Sequence, residues 1–262
     1  MNGEIILLGQ AEDRISQCLD RYMLTFTGFL DPHQQALLRQ KMTKDNPACK
    51  ILFTGGYPDA QRRAMACLPD YMEGDAGEQD AMQQMFSVIR AEHSKNSSAS
   101  RSGRALRHGD YLGALIGLGL KRDVIGDILV REDGADIIVL QDMAEYISDN
   151  FGKAGRSYLS VSIHPLSGLL IPEQKIKMKH DTVASLRLDS LVSSAFGLAR
   201  SKAADAVRGG MVLVNHEEVL KIDRLLEEGD ELVLRHHGKA VLDEVGRETR
   251  KGRTAITLKI FV

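Results

Sequence analysis

The chain has 262 residues, and its 34 Lys and Arg nearly balance its 36 Asp and Glu, for a formal net charge of -2. This length predicts two or three domains, and the charge balance excludes a protein that is basic throughout, so any nucleic-acid surface must be a local cluster. No apolar run approaches a membrane span of roughly 20 residues. The N-terminus lacks the order of a signal peptide and the three cysteines form no CxxC, so we expect a cytoplasmic protein without disulfide, metal or cofactor.

The first region, residues 1–76, is predicted to be a small α/β domain. We expect a helix around Arg14 and Leu19 that continues through residues 22–26 and stops at Gly28. A second helix should begin at Asp31-Pro32, because Asp caps a helix and Pro fits its first turn. Lys50–Thr54 is predicted to be a buried strand.

The second region, residues 77–172, has the pattern strand, helix, strand, strand, helix, strand. The segments are residues 86–92, 108–118, 127–131, 135–140, 143–151 and 157–163. Glu132-Asp133-Gly134 should form a hairpin connection with Gly134 at positive φ. The order predicts a ferredoxin-like, RRM-like βαββαβ domain. Because residues 135–140 carry no aromatic side chain, base stacking on this sheet is not expected.

Two features of this region have more than one interpretation. The serine-rich loop at residues 93–107 carries Arg101, Arg104 and Arg107, and it is either disordered or ordered by a phosphate backbone. Gly113 and Gly117 cost a helix about 1 kcal/mol each relative to alanine. Something should compensate this cost, and we favour close packing of the helix on the sheet over a direct approach of RNA to the helix.

The third domain is predicted at residues 182–245, after a strand or linker with alternating Lys175, Lys177 and Lys179. Its first helix should bury an apolar stripe while three serines stay on the polar side; these are Ser190, Ser193 and Ser194. A second helix should start at Ser201 as its N-cap and end at Gly209-Gly210. Residues 211–214 and 231–235 should be strands, with a turn at Asn215.

Four basic residues, Arg187, Arg200, Lys202 and Arg208, can then lie together near a helix N-terminus, which favours phosphate. The alternative is that each is an ordinary solvated side chain. As a set they predict an RNA-binding surface within residues 185–235. Possible secondary RNA contacts are Arg101, Arg104, Arg107, Lys175, Lys177 and Lys179.

Four segments resemble the RNA-binding domain named after ribosomal protein S4. They are RLD at 187–189, GLARSKA at 197–203, GMVLVN at 210–215 and GDEL at 229–232. The resemblance implies that Arg187, Arg200, Ser201, Lys202 and Arg208 form the RNA contact. The overall fold class is therefore predicted as α+β: an N-terminal α/β unit, the ferredoxin-like domain and a C-terminal S4 domain.

Further segments resemble the bacterial YlmH family over nearly the full length. They are FLDP at 29–32, GGYP at 55–58 with Arg62-Arg63, RHGDYLGALIGLG at 107–119 and IGDI at 125–128. The resemblance implies a cytoplasmic protein of the large ribosomal subunit that holds peptidyl-tRNA in ribosome-associated quality control, with a weaker link to cell division. The implied partners are structured RNA, rRNA or tRNA or both, and no membrane. The sequence does not fix the oligomeric state, and a monomer is the expectation.

The competing class is an RNA-modifying enzyme that uses the same module for targeting. A pseudouridine synthase would need a catalytic domain after the module. A methyltransferase would need a glycine-rich cofactor loop, and the run at 52–58 has Pro58 where the helix should begin. We therefore expect a binder without catalytic residues.

Overall fold

The computed structural model describes residues 2–94, 106–173, 176–215, 217–235, 237–249 and 252–261. The chain divides into two compact units, Met1–Pro172 and Glu173–Val262. Mixed helices and strands in both units confirm the α+β class. Among the residues described, no helix is both long and apolar enough to cross a membrane.

The first unit begins with three helices and a three-stranded antiparallel sheet of order β1-β3-β2. The elements are α1 Asn2–Arg21, β1 Thr25–Phe26, α2 Pro32–Asp45, β2 Lys50–Thr54, β3 Ala64–Leu68 and α3 Asp75–Met85. The predicted start of α2 is confirmed: the Asp31 carboxylate accepts a bond from the Gln34 N–H at 2.8 Å, and the Gln34 side chain accepts one from the Asp31 N–H. Lys50–Thr54 forms the predicted strand β2, but only Thr54 in it is buried.

The predicted continuation of the first helix through residues 22–26 was wrong. The helix ends at Arg21, Tyr22 adopts a φ of +54°, and Thr25–Phe26 pairs with β3 instead. Thr25 donates its hydroxyl proton to the Arg14 carbonyl. Pairing with a distant strand has therefore overridden the local apolar pattern. Neither the strand β3 nor the helix α3 was predicted from the sequence.

The rest of the first unit is built on a second antiparallel sheet of order β5-β6-β4-β8-β7. Its elements are β4 Phe86–His93, α4 His108–Gly117, β5 Ile125–Val130, β6 Gly134–Leu140, α5 Ala144–Asn150, β7 Lys153–Ala154 and β8 Ser157–His164. Without the short β7, the four main strands have the ferredoxin-like order with the first and third at the centre. The predicted topology is confirmed.

The role predicted for Gly134 was wrong. It does not have a positive φ but is the first residue of β6, paired with Glu92, and the connection is residues 131–133. A Cβ at this position would lie 2.2 Å from the Ala91 carbonyl oxygen. Glycine is needed here because β4 approaches the backbone closely.

The two sheets of the first unit pack face to face. On β3, Met65 and Cys67 point toward the core under α1 and α2, whereas Ala64, Ala66 and Leu68 join a core with residues of the second sheet. The opposite face of the second sheet packs on α4 and α5. Both faces of this sheet are therefore covered by protein.

The second unit packs two helices on one six-stranded sheet of order β11-β10-β12-β13-β14-β9. Its elements are β9 Ile176–Val183, α6 Leu188–Phe196, α7 Arg200–Arg208, β10 Val212–Val214, β11 Glu217–Glu218, β12 Glu231–Leu234, β13 Gly238–Glu248 and β14 Thr254–Phe261. The predicted helices, the strands β10 and β12, and the Asn215 turn at φ +50° are confirmed. The segment before the helices is a strand, β9, paired with the unpredicted β14.

Candidate RNA-binding surface

The corner between α6 and α7 is fixed by apolar packing. The inward residues of both helices are buried in the core of the second unit; they are Leu188, Leu191, Val192, Ala195, Ala203 and Val207. Helix α6 ends at Phe196 and is followed by Gly197, which adopts a φ of +66°, and α7 begins at Arg200. The polar side of α7 is thereby left to solvent.

Asp189 draws two of the predicted RNA-binding residues together. Its carboxylate accepts bonds from Arg187 Nε at 3.1 Å and from Arg200 Nε at 3.0 Å. Burial raises the pKa of Asp189, but the bonds from the two guanidiniums outweigh it and lower that pKa below its ordinary value. Both arginines bond through Nε, so their Nη groups have no partner among the described residues. The surface thus presents two oriented guanidinium edges.

The outer face of α7 carries the remaining predicted residues. Ser201, Lys202 and Arg208 are all exposed. Arg208 pairs with Asp205 at 3.2 Å, and it lies eight residues after Arg200, about 12 Å along the helix axis. Arg200 and Lys202 therefore belong to the start of α7, near Arg187 at the start of α6, whereas Arg208 belongs to the end of α7. We call Arg187, Arg200, Ser201, Lys202 and Arg208 the α6–α7 surface.

The predicted capping role of Ser201 was wrong. Helix α7 begins at Arg200, its N-cap position is Ala199, and no side chain caps it. The first N–H groups of α7 consequently have no side-chain acceptor from the cap residue. These N–H groups lie beside Arg200, Ser201 and Lys202, where a phosphate oxygen could accept hydrogen bonds from them.

The predicted polar face of α6 was also partly wrong, because Ser190 and Ser194 are buried. Ser194 Oγ donates to Asp181 Oδ2 at 2.6 Å, and this bond is the main reason that the pKa of Asp181 is lowered. The Ser190 hydroxyl has no hydrogen-bond partner among the described residues. Strand β9 covers this side of α6, which the helix pattern alone does not reveal.

The secondary basic residues differ in their surroundings. Lys177 is exposed on β9, and Lys179 Nζ donates to the Ser194 carbonyl at the end of α6. Arg107 is exposed just before α4, and its backbone N–H donates to Asp110. Arg101, Arg104 and Lys175 lie outside the described residues, so the alternatives for the loop stay predictions.

The packing role predicted for Gly113 and Gly117 was wrong. Both are exposed, and a Cβ at either position would meet nothing within 4 Å. Gly109, one turn earlier on α4, is equally open. These glycines form an exposed stripe along α4 and make no close contact with the sheet.

The sheet of the ferredoxin-like part is closed to base stacking. Phe29 from the N-terminal part stacks on Phe86 with ring centroids 4.9 Å apart, and Ile138 of the central strand β6 is fully buried beside them. On the same strand, the carboxylate of Asp136 is bonded to Arg90 and Arg131. The face on which RRM-type domains stack bases is thus occupied by protein.

Several residues of the family-like motifs in the first unit hold its two sheets together. The Asp127 carboxylate accepts bonds from Tyr57 Oη at 2.9 Å and from the N–H groups of Gln61 and Arg62. The Arg62 guanidinium in turn donates to the carbonyls of Phe29 and Ile125. Burial and the nearby Asp127 raise the pKa of Tyr57. These residues have a structural role that joins distant segments.

Two family models match parts of this chain. A family model described as "Putative RNA-binding domain in YlmH" matches residues 101–168, and one described as "S4 domain" matches residues 186–232. The ribosome-associated protein quality control protein P2 of Bacillus subtilis (strain 168) is 31% identical over 240 residues, which are 92% of this chain and 88% of the relative. The solved structure of the cell division protein ylmH from Streptococcus pneumoniae is 23% identical with a TM-score of 0.47, and the match covers 64% of this chain and 94% of that one. The identity and coverage of the Bacillus relative, together with the two domain matches, show that this chain belongs to the YlmH family.

Proposed function

We propose that this protein binds structured RNA of the large ribosomal subunit through the α6–α7 surface and stabilises peptidyl-tRNA in ribosome-associated quality control. The observation that carries the proposal is the bridge from Asp189 to Arg187 and Arg200, which fixes two arginines at the uncapped start of α7. The name of the Bacillus relative supports the ribosomal setting. The proposed cell-division link has no support from this geometry and stays a prediction.

The chemistry of this surface suits a phosphate backbone. A guanidinium held through Nε keeps its Nη groups free to bond phosphate oxygens. Because Asp189 already holds the side chain in place, less side-chain entropy is lost when the guanidinium binds a phosphate. Lys202 adds a second kind of cation within the same turn of α7. Because the formal net charge of the chain is -2, attraction to RNA must come from local groups of cations such as this one.

The proposed activity is binding alone, in the cytoplasm and as a monomer. Holding a peptidyl-tRNA in place requires no bond to be made or broken. Arg107 and Lys177 are exposed and are proposed as secondary contacts, together with Arg101, Arg104 and Lys175 outside the described residues.

The test is a double substitution, Arg200→Ala with Lys202→Ala, in the full chain. We expect its affinity for isolated large-subunit particles to fall at least about tenfold, and the slope of log affinity against log salt to become shallower by roughly two. Both side chains lie outside the buried stripe, so the variant should still fold, but loss of the Arg200–Asp189 bond should lower its melting temperature modestly. Particles carrying peptidyl-tRNA should also lose that tRNA faster with the variant than with the parent protein.

The matched control is Arg21→Ala with Lys44→Ala, which removes two exposed charges from the first unit, outside both family matches. Equal affinities and slopes for the two double variants would contradict the proposed surface. Appearance of a modified nucleotide in RNA incubated with the protein and S-adenosylmethionine would favour the enzyme alternative instead.

A further inference from the structure

A polar pocket lies beside the α6–α7 surface in the second unit. Its volume is about 440 Å³, and it is an open pocket lined by residues of β9, α6 and the start of α7, and by Arg253 just before β14. The charged residues that line it are Lys179, Asp181, Arg200 and Arg253. Lys179, Asp181 and Arg253 fall outside the residues matched by the S4 domain.

The pocket has an excess of positive charge. Three cations face one carboxylate, which gives a formal charge of +2 among the lining residues. The carboxylate is already engaged, because Asp181 accepts bonds from the Ser194 hydroxyl and the Thr182 N–H. One carboxylate cannot neutralise three cations, so an anion in the pocket would gain favourable ionic interactions.

Each of the three cations is held by a neighbour and keeps donors unused. Lys179 Nζ is held by the Ser194 carbonyl, and Arg253 bonds the hydroxyl and the carbonyl of Thr182 through Nε and Nη2. Arg200 is held through Nε by Asp189. An ammonium has three donors and a guanidinium has five, so every one of these groups can still bond an oxyanion.

We propose that this pocket binds a backbone phosphate of the RNA held by the α6–α7 surface, so that the binding surface extends onto β9 and Arg253. The inference rests on the proposed function. Arg200 lines the pocket and also belongs to the α6–α7 surface, so the two sites are continuous. Ser190 and Ser193 add hydroxyl groups to the wall, and the volume accommodates a phosphodiester with part of its sugar.

The decisive variant is Arg253→Ala in the full chain, measured for binding to transfer RNA and to isolated large-subunit particles over a series of salt concentrations. We expect a three- to tenfold loss of affinity and a salt slope that is shallower by roughly one, because one phosphate contact is removed. Arg253→Lys should retain most of the slope. The matched control is Arg247→Ala, which removes an exposed charge from β13 that does not line the pocket.

A merely structural role for Arg253, which links β14 to β9, predicts a different result: a lower melting temperature with an unchanged salt slope. That outcome would overturn the inference. Loss of binding in the Arg200 and Lys202 double variant, with none in Arg253→Ala, would also overturn it while leaving the proposed function intact. Failure of both variants to weaken binding would contradict the proposed function itself.

The source of the phosphate can be tested separately. Inorganic phosphate should raise the melting temperature of the parent protein more than that of Arg253→Ala, and transfer RNA should abolish this difference by occupying the same pocket. If the difference persists in saturating RNA, the pocket takes a free anion instead, and the proposed extension of the RNA surface is wrong.

Discussion

Among the described residues, each unit has an aspartate that bridges two arginines, and the two bridges differ in exposure. In the first unit the Asp136 side chain is 0% exposed, and its partners Arg90 and Arg131 are 14% and 13% exposed. In the second unit the Asp189 side chain is 6% exposed, whereas Arg187 and Arg200 are 35% and 55% exposed. The same ionic chemistry is thus enclosed in one unit and open in the other.

The difference separates a bridge that stabilises the fold from one that can bind a ligand. Asp136 also accepts the Leu170 N–H, and Arg90 also donates to the Gly168 carbonyl, so the first bridge ties the segment after β8 to the centre of the sheet. A fully buried carboxylate needs these bonds because its desolvation is costly. The second bridge leaves the outer edges of its arginines in solvent. The exposure of the arginines is therefore more informative about a role in ligand binding than the presence of the ion pair itself.

The largest effect is expected from Asp136→Asn. An asparagine amide would keep the shape but place N–H donors against two guanidiniums, which would remain buried with their main acceptor removed. We expect the free energy of unfolding to fall by about 3–5 kcal/mol, as for other buried ion pairs that lose one partner. Chemical denaturation of the full chain would measure this, with the signal of the first unit followed separately.

The pH dependence of that effect provides its control. Burial raises the pKa of Asp136, but bonds from Arg90, Leu170 and Arg131 outweigh it, so the pKa is lowered in the folded protein. A lowered pKa means that the carboxylate stabilises the fold above its unfolded pKa of about 4, and that this contribution is lost as the pH falls through the folded pKa. The stability difference between the variant and the parent protein should accordingly narrow below about pH 4. A constant difference would show that charge is not its cause.

A smaller loss of stability is expected from Asp189→Asn, about 1.5–3 kcal/mol, because water can solvate the released arginines. The effect on binding separates orientation from charge. The substitution makes the protein more positive by one charge, which alone would strengthen attraction to RNA. We nevertheless expect weaker binding to large-subunit particles, since Arg187 and Arg200 lose their common anchor. Tighter binding of Asp189→Asn would show that Asp189 only screens the cations.

The elements that depend on local pattern were predicted well from the sequence. The Asp31 cap, the ferredoxin-like strand order and the two helices of the second unit all follow from periodicity and turn residues. The strands β13 and β14 were not predicted. Strand β14 pairs with β9, which lies more than 70 residues earlier in the chain. Pairing over such a separation is determined by the tertiary fold and leaves no local signature.

The same limit applies to the candidate site. Its basic residues were identified from their clustering, and their role in RNA binding stays a prediction. The sequence gives no sign that Asp189 joins Arg187 to Arg200, beyond an acidic residue within a basic motif. The pocket at Lys179 and Arg253 could not be predicted, because it forms only where β9 and Arg253, which are distant in sequence, lie beside α6. Residue type can be inferred from a pattern, whereas contacts between distant strands cannot.

The smallest effect is expected at Ser190, the residue next to Asp189 on α6. Its hydroxyl is buried and lacks a hydrogen-bond partner among the described residues, in contrast to both bridging carboxylates. A buried hydroxyl without a partner is unfavourable, and alanine also has the higher helix propensity. Ser190→Ala should therefore stabilise the protein by about 1 kcal/mol, seen as a higher midpoint of chemical denaturation with an unchanged slope. Ser194→Ala is the matched control on the same face of α6, and it should destabilise the protein because Asp181 loses a hydrogen bond. If both variants lower the midpoint, the Ser190 hydroxyl must be satisfied in solution by water held in the adjoining pocket.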